Sequence, residues 1–437
     1  MGRVVSYNDG VQRCAFCGKG EDEVDRLIAG VGVAICDECV AVCVDIIADE
    51  QAKDDRTGVR KLPTPAQVNA ILDAYVVGQQ AAKRTLSVAV HNHFKRISMD
   101  RPRHAPLSEE ANRIVDPLGQ VQVAKSNILL MGPTGVGKTY LAQTLAQAMQ
   151  VPFAIVDATS LTEAGYVGDD VESMLQRLLQ EADGDVKRAQ HGIIYIDEVD
   201  KIARKGGSNA SMSRDVSGEG VQQALLKVME GSVVDVPVDG QRKAQEQQTV
   251  RLDTRDILFI CGGAFVGLDE IVAKRLGSHA SGFGADMRIR QVDPHELLRQ
   301  VTADDLADFG LLPEFIGRLP VVAVLDDLTE DDLVEMLTQP ANALAKQYRK
   351  LFALEGVELE FTDEALRRIA HIAQGQGTGA RGLRSIIERT LEGTMFALPD
   401  MEGVTRVVVD ADAVDGTGSP QLVEERRTVL RLKRDTP

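Results

Sequence analysis

The chain of 437 residues contains no tryptophan, and aromatic residues make up only 4% of it, so its cores must be built from aliphatic side chains. No apolar run approaches the ~18 residues that a membrane-spanning helix needs. The first thirty residues are polar and charged, unlike a secretory leader. No membrane partner is expected, and a cytoplasmic location follows. Basic residues are in deficit: 49 Lys and Arg face 66 Asp and Glu, for a net charge of −17. A chain of that sign repels phosphate backbones, so nucleic acid is not expected as a partner of the whole protein. Self-repulsion instead keeps it in solution. Cysteine is scarce, and four of the six residues are grouped in a metal pattern rather than spread as a disulfide framework, which fits a reducing compartment. What is present is ample for packing: a hydrophobic fraction of 44% supports two or three domains of about 100–200 residues each.

The most informative stretch is Ser126 to Thr139, SNILLMGPTGVGKT. Its apolar run Ile128 to Met131 predicts a buried parallel strand, and a helical pattern follows Thr139. Between them lies G-x-x-x-x-G-K-[ST], in the strand-to-helix context that a phosphate-binding loop requires. Over Gly132, Pro133, Thr134, Gly135, Val136, Gly137, Lys138, Thr139 and Tyr140, the glycines let backbone N–H groups turn toward a polyphosphate at a helix N-terminus. Lys138 is placed to reach the β- and γ-phosphates, and the Thr139 hydroxyl to ligate Mg²⁺. A nucleoside triphosphate and Mg²⁺ are therefore expected. A second apolar run, Ile193 to Ile196, ends in Asp197-Glu198. Beside a phosphate loop this pair puts Asp197 near Mg²⁺ and lets Glu198 polarise an attacking water, which predicts hydrolysis rather than binding alone.

Near the start, Cys14-x₂-Cys17, then 18 residues, then Cys36-x₂-Cys39 has the spacing of a four-thiolate Zn²⁺ site. Four sulfurs close the ion against water, so the site is structural. Roughly fifty residues bury little core, and zinc would supply folding energy there. Cys43 follows on an apolar helical stretch, where a small hydrophobe packs. The acidic surroundings GEDEVD favour a protein partner for this knuckle. Residues 66 to 97 read as helix interrupted at Tyr75-Val76-Val77-Gly78-Gln79. A polar excursion spans about 100 to 123, and Asp235 to Gln248 reads as a polar loop. Gly165-Tyr166-Val167-Gly168 is either a buried turn anchored by tyrosine or an exposed loop tip that grips something. Arg318, by itself, reads as a surface ion-pair residue. Thr329 with Asp332 three residues on is a capping box.

The two nucleotide motifs, the cysteine pattern and Gly165-Tyr166-Val167-Gly168 together closely resemble the ClpX family of AAA+ ring ATPases, from about residue 14 to 409. The resemblance implies an α/β fold: an AAA+ P-loop ATPase domain over 67–323 and a small, mostly helical C-terminal domain over 326–411. Before them come an N-terminal four-cysteine zinc-binding domain over 1–50 and a linker over 51–66; a charged tail over 412–437 follows. It implies an ATPase, assembled as a homohexamer, that unfolds protein substrates by threading them through the ring pore and delivers them to the ClpP peptidase, with adaptors recruited by the zinc domain. It assigns Val76 and Val77 to the adenine, Arg381 to nucleotide sensing from the small domain, and Arg318 to an arginine finger serving a neighbour's ATP. Tyr166 and Val167 become the pore loop, and Phe283 the peptidase-docking anchor.

Two positions depart from the family. Arg242-Lys243-Ala244 stands where Arg-Lys-His is usual, and Ser281-Gly282-Phe283 where an aliphatic residue precedes Gly-Phe. Burying a Leu or Ile contributes about 1.5–3 kcal/mol, most of which a Ser forfeits, so a protease-independent ATP-driven remodelling chaperone is the alternative. A nucleic-acid motor is opposed by the charge and by the lack of a basic-aromatic stripe. A nucleotide-switch scaffold is opposed by Glu198, and the related zinc-free unfoldase HslU by Cys14 to Cys39.

Overall fold

The computed structural model describes residues 13–20, 23–30, 33–43, 62–99, 121, 123–162, 169–204, 218–237, 249–278, 293–401 and 403–424. The expected pore loop with Tyr166 and Val167, Arg242 to Ala244, Ser281 to Phe283 and most of the 100–123 excursion lie outside them. The chain divides into two compact units, Met1–Leu62 and Pro63–Pro437.

In the first unit, Leu27–Gly30 pairs antiparallel with Val33–Cys36, and residues 37–43 are helical. The first cysteine pair sits on a turn closed by Gly18 N–H donating to the Cys14 carbonyl (2.9 Å), with Gly18 at φ 78°.

The second unit is built on a five-stranded sheet in the order Val321–Val324, Ile128–Met131, Leu258–Gly263, Ile193–Asp197, Phe153–Asp157. All neighbours are parallel. Ile128–Met131 and Ile193–Ile196 are buried at every position. Their alternate side chains feed two different cores, as parallel strands covered on both faces do. Leu129, Met131, Ile194, Ile196 and Phe259 face one cluster. Ile128, Leu130, Ile193, Tyr195 and Ile260 face the other, with Val68, Leu72, Leu86 and Val90 from the helices Pro65–Tyr75 and Gln80–Met99. This register brings Met131, Gly263, Val324, Asp157 and Asp197 to one edge, the carboxyl ends of the strands, where α/β sheets bind ligands.

The remaining part packs a third core from the helices Glu330–Thr338, Leu344–Leu354, Asp363–Gly375 and Ala380–Ala397. The Thr329–Asp332 capping box is formed in both directions.

Three expectations need correction. Residues 412–424 are not tail throughout: the helix Ala411–Asp415 runs into them, and Gln421–Glu424 adds an antiparallel strand to Val404–Val409, which also pairs with Glu358–Phe361. All four residues of that edge strand are exposed, so they carry no alternating pattern to betray it. Asp235 to Gln248 is not wholly loop, because Val233–Pro237 and Thr249–Asp253 form a hairpin that includes Asp235. The last linker residues belong to a helix: Thr64 caps Pro65–Tyr75 with Gln67, and Pro65 takes the first helical position, where no N–H is needed.

Candidate nucleotide site and zinc centre

The phosphate loop connects Ile128–Met131 to the helix Lys138–Met149. Gly132, Gly135 and Gly137 all have positive φ (151°, 88° and 95°). Gly137 is the N-cap and offers no side chain, so the first N–H groups of the helix are left for an anion. Gly135 is constrained twice: a Cβ there would lie 2.8 Å from the Thr378 carbonyl oxygen. Ala380 N–H donates to the Gly135 carbonyl at 3.2 Å. The segment that opens the helix Ala380–Ala397 is thus seated on the loop, and Arg381 follows it by one residue. The Arg381 charge reaches Lys138, whose ammonium is held below its usual range by burial first and by Arg381 among smaller causes. Lys138 itself is buried, and its Nζ donates to the Gly132 and Pro133 carbonyls (2.7 and 2.8 Å), across the mouth of the loop. Tyr140 remains 40% exposed one residue past Thr139, while Val136 is buried and Thr134 exposed.

Thr139 Oγ1 donates to Asp197 Oδ2 at 2.9 Å. Asp197 Oδ1 accepts from the Tyr195 hydroxyl (3.2 Å) and from Glu198 N–H (2.9 Å). A hydroxyl and a carboxylate so placed are hard oxygen donors of the kind that hold Mg²⁺ through one or two protein groups. Glu198 sits at φ 56°, a left-handed conformation that costs a non-glycine residue on the order of 1–3 kcal/mol. Its side chain is exposed, and its carboxylate makes no hydrogen bond or ion pair among the described residues. The turn therefore leaves an exposed carboxylate next in sequence to Asp197.

Several neighbours have no signature in the sequence. Tyr195, wholly buried, reaches Asp197 because Gly262 leaves room: a Cβ there would lie 2.0 Å from its hydroxyl. Asp200 is buried and accepts from Ala264 N–H at 3.1 Å, beyond the Gly262-Gly263 strand end. The paired glycines at that strand end are the one sequence clue to both contacts.

Val76 and Val77 are buried between the helices Pro65–Tyr75 and Gln80–Met99. Gln79 ties this segment to the start of the helical part, donating to the Asp326 carbonyl and accepting from Asp326 N–H, each at 2.8 Å. Arg318 is not brought to this loop. Its carbonyl accepts from Asn127 Nδ2 (3.0 Å), whose Oδ1 accepts from Phe259 N–H (3.3 Å), so it lies at the amino ends of the strands. A four-residue strand at about 3.3 Å per residue separates it from its own phosphate loop by roughly 13 Å of strand. Its guanidinium instead pairs with Glu230 at 2.6 Å.

In the first unit, Cys14, Cys17, Cys36 and Cys39 place their sulfurs within 4.8 Å of one another. The sulfurs of Cys17 and Cys36 are 3.6 Å apart. Zn–S bonds of about 2.3 Å in a tetrahedron imply S–S edges near 3.8 Å, so the cluster has the size of a zinc site. Backbone N–H groups of Cys36 and Cys39 donate to the Cys14 and Cys36 sulfurs (3.3 and 3.4 Å). The Cys17 N–H leads the causes that bring the Cys14 thiol down to about 6, while the hydrogen bond to Cys36, then burial, push Cys39 up. Four crowded thiols cannot all ionise without a cation, and a dication removes that conflict. Cys43 is half-buried on the following helix and outside the cluster. Stripping zinc with a chelator is expected to abolish the circular dichroism of this unit while ATP hydrolysis stays within about twofold; a parallel collapse of hydrolysis would contradict two separately folded units.

Family models match the chain in series. A ClpX C4-type zinc finger covers residues 12–49, an AAA domain of the Cdc48 subfamily covers 123–322, and the C-terminal, D2-small domain of ClpB protein covers 328–404. The zinc-finger match spans all four clustered cysteines, the AAA match spans the phosphate loop and Asp197-Glu198, and the third begins where the helical part does. With the four-cysteine cluster at one end and an AAA domain that implies ATPase activity at the centre, the three matches in this order are those of a ClpX-type AAA+ unfoldase.

Proposed function

We propose that this protein is an ATP-driven protein unfoldase that assembles as a homohexamer, threads substrates through the ring pore and delivers them to the ClpP peptidase, in the cytoplasm. The observation that carries this is the composite nucleotide site: loop, Asp197, exposed Glu198 and the Arg381 helix meet at one edge, while Arg318 lies at the other. A guanidinium stranded from its own loop suits a neighbour's γ-phosphate, where it stays charged and can clamp oxygens in a fork. Thr139 and Asp197 would hold Mg²⁺, which supplies charge neutralisation at the phosphates. Glu198 takes the proton of the attacking water, Lys138 swings from the Gly132 and Pro133 carbonyls to the phosphates, and Arg381 couples the small domain to them. The domain limits follow the family: zinc binding to about 50, ATPase from 67 to 323, small domain from 326.

Tyr166 and Val167 grip the threaded chain by van der Waals contact that reads no sequence. Tyr166→Ala is expected to keep ATPase activity within about twofold and to lose unfolding of a stable substrate; unchanged unfolding would remove the grip from this loop. Phe283 anchors the peptidase. Ser281 beside it favours the second reading, a protease-independent remodeller of protein complexes, because six such loops multiply any lost contact through avidity. Incubation of a tagged, stably folded reporter with this protein, its host's ClpP and ATP decides between them. Processive degradation supports delivery; unfolding with no degradation supports the remodeller.

A further inference from the structure

Lys83 is, among the described residues, the most fully buried charged side chain of the second unit, 1% exposed on the helix Gln80–Met99. A buried ammonium is tolerated only when its donors are used. Its Nζ donates to Asp73 Oδ1 at 2.8 Å and to the carbonyl of Val76, the residue that caps the helix Pro65–Tyr75. Asp73 is held in turn by Asn69 Nδ2 (2.8 Å) and Gln80 Nε2 (3.2 Å). The two helices are thereby locked at the corner that carries Val76 to Gln79.

Part of the backbone of that corner is paired within the chain. Val76 N–H donates to Leu72, its carbonyl is taken by Lys83, and the Gln79 carbonyl accepts from Lys83 N–H. Gly78 and Gln79 both turn through positive φ, 62° and 57°. The N–H and C=O of Val77, a buried residue, make no hydrogen bond among the described residues, and neither do those of Gly78, which is only half-buried and so open to water. Inside a protein such groups are nearly always paired, so a free donor and acceptor side by side point to a ligand that offers the complement. A base with an acceptor nitrogen beside an amino group fits; one with a carbonyl beside an N–H meets donor with donor and acceptor with acceptor.

We propose that Lys83 is a positioning residue for purine selection: by occupying the Val76 carbonyl it leaves the Val77 backbone pair as the edge that reads the base, and it fixes that edge in place. This rests on the assignment of residues 76–79 to the base. A helix C-terminus favours a nearby cation by itself, so a purely capping role is the competing account. It predicts a loss of stability with no change in which nucleotide is preferred.

The experiment measures binding of ATP, GTP and inorganic tripolyphosphate to the full chain, with steady-state ATPase kinetics beside it. Lys83→Met is expected to raise KM for ATP about tenfold with kcat within about twofold, to leave tripolyphosphate binding unchanged, and to narrow the ATP-over-GTP preference. Lys83→Arg, which keeps a cation near the Val76 carbonyl, is expected to restore most of the ATP affinity. Equal weakening of ATP and tripolyphosphate, or an unchanged ATP-over-GTP preference in Lys83→Met, overturns the proposal. If Lys83→Met does not fold, Asp73→Asn carries the same test, with a smaller shift in the same direction expected and none overturning it. Equal binding of ATP and GTP by the unaltered protein would remove the base-reading role from 76–79 altogether, a failure distinct from that of Lys83.

Discussion

Glu198→Gln is expected to bind ATP with near-unaltered affinity and to hydrolyse it about 10²–10⁴ times more slowly, the usual contribution of a positioned general base. The amide keeps the size and the left-handed turn at φ 56°, and the backbone bond from residue 198 to Asp197 Oδ1 is untouched. What disappears is the proton acceptor. Thr139 and Asp197, 2.9 Å apart, are unaltered, so metal and phosphate binding survive. Fluorescent-nucleotide titration and single-turnover phosphate release separate the two effects. Wild-type release in this variant would take Glu198 out of the chemistry.

Arg318→Ala is expected to lower kcat by about 10³-fold or more, the scale of an arginine finger. The ion pair with Glu230 joins two half-exposed side chains, a class of contact that contributes little to stability. The substitution should therefore leave the fold intact, as thermal unfolding will show. Because Arg318 lies across the sheet from its own loop, the defect is expected at a boundary between subunits. Rings assembled from equal parts of the Glu198→Gln and Arg318→Ala proteins should regain activity at about one site in four, where an intact Glu198 meets a neighbour's intact Arg318. A mixture no more active than either variant alone contradicts a shared site.

The elements that carry these predictions were legible because their signals are local. The strand Ile128–Met131 begins and ends where its apolar run does, and Ile193–Asp197 differs from its run by one residue. The break at 75–79 separates two helices as the glycine and the β-branched pair imply. The cysteine spacing fixed the zinc ligands because two x₂ turns leave little freedom. Long-range contacts left no such trace. Asn127 meets Arg318 across 191 residues, and Gln79 meets Asp326 across 247; no periodicity encodes either. Lys83 would be placed at the surface by its charge, and only the fold shows the carboxylate and carbonyl that bury it. Gly135 reads as a phosphate-loop residue, but a side chain there would first meet the Thr378 carbonyl of the helical part. The edge strand Gln421–Glu424 was hidden because its partner, and not its own pattern, defines it.

The central claim is that ATP hydrolysis at this site does mechanical work on a folded protein. The direct measurement is loss of fluorescence from a stably folded, tagged reporter in the presence of a trap for unfolded chains, with ATP, with a non-hydrolysable analogue, and with the Glu198→Gln protein. The account predicts loss of fluorescence with ATP and the unaltered protein, and none in the other two arms. Loss of fluorescence that proceeds equally with the analogue, or full ATP turnover with the reporter still folded, would contradict it.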